Sequence, residues 1–103
     1  MKKYRVVLLP DANRDFDKYI DYIVYNCHSP RTALKHRNDL VKELKSLEVS
    51  AESYPIKPSS RSLFKYGEFV RTVNFKKMTI VYTVHGDVVC VHRIIASSLL
   101  TDL

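Results

Sequence analysis

The order of apolar segments constrains this chain most. A short apolar run comes first, two stretches with helical spacing follow, and three runs with strand character close it. The opening run, Tyr4–Leu9 (YRVVLL), is β-branched and leucine-rich and stops at Pro10, which predicts a buried strand. From Ala12 the apolar residues fall at Ala12, Phe16, Tyr19, Ile20, Ile23 and Val24, one stripe of a helix ending near Cys27-His28. Asp11 supplies its N-cap or a first-turn carboxylate. Ser29-Pro30 starts a second helix: a hydroxyl cap, then proline at the first helical position. It carries Ala33, Leu34, Leu40, Val41, Leu44 and Leu47 and is expected to end around Glu48. So short a connection makes the two helices an antiparallel hairpin, whose apolar face needs a sheet to cover it.

Val49–Tyr66, with Pro55 and Pro58, reads as the one long loop. Three strands are expected after it: Phe69–Phe75, Met78–Val84 and Val88–Ile95, the last two joined by a tight turn at Gly86-Asp87. In the last strand Val88, Cys90 and Ile94 are assigned to one face, and Val89, Val91 and Ile95 to the other. A strand apolar on both faces is covered on both, and the hairpin can cover only one. The loop, the tail or a partner is left for the second. The predicted architecture is α+β: a helical hairpin packed on a mostly antiparallel four-stranded sheet. The first strand is expected inside the sheet or beside the last strand in parallel.

A length of 103 residues fits a single domain, expected to span 1–103. The net charge of +6 is unevenly placed. Residues 1–52 hold ten Lys/Arg against eight Asp/Glu, whereas Lys57 to Lys77 holds six against one, Glu68. That second stretch suits an acidic partner, although a solvated loop would show the same surplus. Cys27 and Cys90 belong to no paired motif and read as reduced thiols. With no signal-like or membrane-spanning run, the expected location is the cytoplasm.

Several chemistries find no support. His28, His36, His85 and His92 are scattered without ligand spacing, so neither a metal nor another cofactor is expected. Two glycines cannot build a phosphate loop, and no Ser/His/Asp or Cys/His signature is present. Asp11, Asp15, Asp17 and Asp21 read as a solvated helix face. The second helix is too long and too mixed in charge for a helix-turn-helix reader. What remains is a cationic set: Lys57, Arg61, Lys65, Arg71, Lys76, Lys77 and Arg93. Such cations can stabilise phosphate charge in a metal-free RNA cleavage, or bind an acidic protein segment.

Three stretches carry a family resemblance. YRVVLLPDANRDFDKYIDYI looks like a ParE-type opening, SPRTALKHRNDLVKEL with Leu47 is similar to that family's second helix, and MTIVYTVHGDVVCVHRI resembles its closing pair of strands. In this order and at these spacings they resemble the RelE/ParE superfamily of type II toxins, nearer the ParE branch. The resemblance implies a toxin acting on DNA gyrase and stalling replication. It also implies a hetero-oligomer with an acidic-tailed antitoxin that represses the shared promoter and makes most of the DNA contact. The alternatives are a RelE-type mRNA endonuclease, or an inactive relative that only binds antitoxin. By comparison with the ribonuclease branch, its basic residues would fall at Asn74, Thr79, Ser97 and Ser98, so no catalytic residue is assigned. The antitoxin is expected on one surface made of Val89, Val91 and Ile95 with Lys57, Arg61 and Lys65, and Arg93 is expected to be its strongest single contact.

Overall fold

The computed structural model describes residues 3–27, 29–56, 64–67 and 69–97. Strand β1 (Arg5–Leu8) leads into helix α1 (Pro10–Cys27) and helix α2 (Pro30–Ser50). Short 3-10 turns follow at Ala51–Ser53 and Phe64–Tyr66, then β2 (Arg71–Phe75), β3 (Met78–His85) and β4 (Val88–Ala96). The expected α+β architecture is present, with the sheet in the order β1-β4-β3-β2. β1 runs parallel to β4, and the other two pairings are antiparallel.

Local chemistry accounts for the ends of the elements. α1 begins at Pro10, so Asp11 is a first-turn carboxylate rather than the cap, and it pairs with Arg14 one turn on. Ser29 caps α2 by accepting a hydrogen bond from the Thr32 amide, with Pro30 in the first turn. α2 continues past Glu48 because the sheet receives its far end: Ala51 is buried, and the buried phenol of Tyr82 donates to its carbonyl at 2.5 Å. Gly86 turns β3 into β4 at φ 63, a conformation glycine adopts without strain. Lys76 takes a similar conformation between β2 and β3.

The main core lies between hairpin and sheet. Leu40, Leu44 and Leu47 of α2 meet Ile80, Tyr82, Val89, Val91 and Ile94, with Phe16 packed against them. The opposite sheet face has a smaller cluster in which Tyr66, Val70 and Ile95 pack around Val81, so the chain just before β2 covers part of it.

Two expectations fail here. The assignment of faces in β4 does not hold. Val81 pairs with Arg93 while Tyr82 pairs with Val91, so His92 is an extra residue in the ladder. A bulge of one residue reverses every side chain beyond it. Val89 and Val91 therefore share the helix-facing core with Ile94, and Ile95 turns to the other face. The helical stripes are also broader than the sheet that receives them. Val24 of α1 and Leu34 and Val41 of α2 stay exposed.

Candidate functional site

Lys57 and Arg61 lie outside the described residues. The other cations of the expected set occupy separate places, and three of them are held inside the chain.

Arg93 has its partner in α1. Its Nε and Nη2 donate to the Asp15 carboxylate at 2.6 and 3.1 Å, and the Ile94 amide donates to the same group at 2.9 Å. β1 pairs with β4 only as far as Val91, so β4 beyond it has an open edge, and Asp15 closes that edge. The Asp15 carboxylate raises the Arg93 pKa further, and the nearby Tyr66 adds to the rise. Arg93 is thus occupied rather than waiting for a partner's carboxylate.

Arg71 binds backbone. Its Nη1 donates to the carbonyls of Glu52 at 3.2 Å and Tyr54 at 2.6 Å, in the 3-10 turn after α2 and just beyond it. Lys76 contacts Asp39 at 3.3 Å and the His36 Nδ1 at 3.2 Å, tying the β2–β3 turn to α2. Asp39 is held below the usual carboxylate range, first by its hydrogen bond from Lys35 and then by that from Lys76. Lys65 and Lys77 are exposed, and neither has a carboxylate partner among the described residues. Lys65 lies over the Tyr66 ring, 5.3 Å from its centroid.

The apolar surface expected beside these cations does not exist as one face. Val89 and Val91 are fully buried under the chain's own helices, and Ile95 is across the sheet from them.

The positions at which the ribonuclease branch would carry bases form a neutral group. Asn74 and Thr79 are register partners on β2 and β3. The Thr79 hydroxyl donates to the Asn74 amide oxygen at 3.1 Å and lies 2.7 Å from the Ser97 hydroxyl. Ser98 lies outside the described residues. Three uncharged groups bonded to one another supply no cation for a phosphate.

The residues alone did not reveal a second polar group on this face. The Thr83 hydroxyl lies 2.8 Å from the Nε2 of both His85 and His92, so it can donate to one ring and accept from the other. The His92 ring sits 5.3 Å from the Tyr66 ring. Burial, and then the nearby His85, lower the His92 pKa, which favours a neutral imidazole. The only available signal was the polar His92-Arg93 pair interrupting an apolar strand, and spacing could not show that it marks a bulge. Thr83 is 4% exposed, which leaves it no approach for a substrate. Among the described residues, no group of three His, Cys, Asp or Glu could hold a metal, and no helix is long and apolar enough to cross a membrane.

Among the described residues, the expected cations thus lie on separate surfaces, and comparison with known proteins gives the chain its relatives. Residues 6–98 match the family described as the ParE toxin of the type II toxin–antitoxin system, parDE. The chain belongs to the ParE toxin family. The fold also matches a solved structure described as the chromosomal ParDE TA system from P. aeruginosa, with a TM-score of 0.73 and 23% identity. That match covers 93% of this chain and 98% of the other. No curated protein matches by sequence. As a ParE-type domain, the chain keeps the hairpin and sheet of the family while using Arg71, Lys76 and Arg93 for its own cohesion.

Proposed function

We propose that this ParE-type toxin inhibits DNA gyrase, acts in the cytoplasm, and is neutralised by a cognate antitoxin in a hetero-oligomer. The observation that carries this reading is the family match over residues 6–98, from the first strand to the end of the sheet. The neutral Asn74–Thr79–Ser97 group favours the gyrase branch over RNA cleavage, because a cleavage site without positioned cations loses its charge stabilisation. Lys65 and Lys77 have no carboxylate partner among the described residues. Together with Lys57 and Arg61, they form the contact set proposed for the target.

The test is a supercoiling assay with relaxed plasmid, gyrase and the purified chain. Inhibition is expected, with relief when the product of the adjoining reading frame is added. A supercoiling rate unchanged at large molar excess of the chain would reject the gyrase assignment. Cleavage of translated mRNA by the same preparation would move the protein to the ribonuclease branch.

A further inference from the structure

Two histidine rings converge on one hydroxyl beside the bulge in β4. Thr83 of β3 and Cys90 of β4 are register partners, and His92 is the extra residue that follows them on β4. His85, two residues after Thr83, lies on the same face of β3. The Thr83 hydroxyl is 2.8 Å from the Nε2 of each ring. The two nitrogens are therefore no more than twice that distance apart, although they come from different strands.

Burial accounts for only one of these contacts. Thr83 is buried, and a buried hydroxyl needs a partner. One ring satisfies it. The second goes beyond that need, and His85 is exposed, so its own burial does not hold it in place. His92 is fixed from the other side by the Tyr66 ring, 5.3 Å away. Burial favours the neutral form of His92, the form in which an imidazole binds a metal.

The arrangement has the dimensions of one face of a coordination shell. Nitrogen and oxygen ligands sit about 2.0–2.2 Å from a zinc-like cation, which places neighbouring ligand atoms about 3 Å from one another. Both separations between Nε2 and the Thr83 hydroxyl are close to that edge length. A cation above the hydroxyl meets both nitrogens after small ring rotations, and each neutral ring frees its Nε2 lone pair by carrying its proton on Nδ1. Imidazole suits Zn2+ and Cu2+, whereas Mg2+ and Ca2+ prefer oxygen. Among the described residues, His, Cys, Asp and Glu do not converge in threes. Two imidazoles and a neutral hydroxyl leave the remaining positions to water, which makes for an exchangeable ion rather than a resident one.

We propose that His85 and His92, with Thr83 between them, form a reversible binding site for a divalent cation of the zinc–copper class, on the sheet face away from the helices. The bound ion cross-links β3 to the bulge of β4. Through the contact of His92 with Tyr66 it also steadies the Phe64–Tyr66 turn, which carries Lys65.

Calorimetric titration of the untagged chain with zinc chloride, in a buffer that does not bind metal, tests the proposal. Wild type is compared with His85→Gln, His92→Gln and His36→Gln; His36 lies apart, beside Lys76. Thermal melting in the presence of a chelator checks that each variant is folded. Wild type is expected to bind one ion per chain, to give no heat with magnesium chloride, and to melt at a higher temperature with zinc. Both His85→Gln and His92→Gln are expected to bind at least tenfold more weakly and to lose the rise in melting temperature, while His36→Gln behaves as wild type. Should His92→Gln fail to fold, the exposed His85 decides the matter alone. No uptake of zinc by wild type at millimolar concentration, or wild-type affinity in His85→Gln, overturns the proposal. An equal loss in all three variants also overturns it, because scattered surface histidines then hold the ion. Magnesium bound as tightly as zinc does the same, by pointing to carboxylates.

Discussion

Asp15 and Arg93 are 78 residues apart in sequence, yet they share two hydrogen bonds of 2.6 and 3.1 Å across the open edge of β4. The same carboxylate accepts the Ile94 amide at 2.9 Å. It therefore serves a charge and an edge at once. Asp15→Ala is expected to destabilise the fold by about 2 kcal/mol, since it leaves a partly buried guanidinium and a strand amide without their acceptor. Asp15→Asn should lose less, because an amide oxygen can still accept from Ile94. Urea unfolding of both variants distinguishes these outcomes, and equal losses would mean that only the charge matters.

Arg71 is expected to matter for stability rather than for binding. Removing it as Arg71→Ala strips the Glu52 and Tyr54 carbonyls of their donor, with a loss of about 1–3 kcal/mol. Arg71→Lys should recover part of that, because a single nitrogen now serves both carbonyls. Full stability in Arg71→Ala, with weakened partner binding, would return Arg71 to the interaction set.

The pH dependence of stability should contain a contribution from His92. Its pKa is lowered in the folded state from the ordinary histidine value of 6.5, so below that value the unfolded chain takes up the proton more readily. The contribution is present above pH 6.5 and is lost as the pH falls through the folded-state value. His92→Gln, which keeps a hydrogen-bonding group near Thr83, is expected to flatten the fall in unfolding free energy between pH 7 and pH 5. Parallel curves for the two proteins would assign the acid sensitivity to other groups.

The hairpin–sheet core makes a simpler demand. Leu44 is buried among the residues that join α2 to the sheet, and Leu44→Ala is expected to cost about 2–5 kcal/mol. Tyr82→Phe keeps the ring and removes the donor to the Ala51 carbonyl, so its loss should be nearer 1 kcal/mol. Chemical denaturation measures both, and a Tyr82→Phe loss as large as that of Leu44→Ala would make the phenol, rather than packing, the anchor of the end of α2.

The elements were legible in the sequence because their signals are local. The apolar repeat of α1, Ser29-Pro30 before α2, and Gly86 in the last turn each act over a few residues. What was not legible depended on distant partners. Nothing in VVCVHRIIA shows that His92 is an extra residue, because the bulge exists only against β3. The bases of Arg71, Lys76 and Arg93 look alike in sequence, and only the folded chain brings carbonyls or carboxylates to them. Leu34 and Val41 fit a helical stripe as well as Leu40 and Leu44 do, and the width of the sheet decides which pair is covered. Three of the seven cations, Arg71, Lys76 and Arg93, therefore have contacts within the chain that their spacing did not announce.

The pairing of β1 with β4 also bears on synthesis. Arg5 aligns with Val88, and β4 sits between β1 and β3. While the ribosome is still making the chain, β1 has emerged but has nothing to pair with, and β3 lacks its neighbour on one side. Local contacts can form the helices early, but the sheet cannot close until β4 has cleared the exit tunnel. A nascent chain stopped before Val88 lacks the strand that joins β1 to β3, so its sheet is still in two parts.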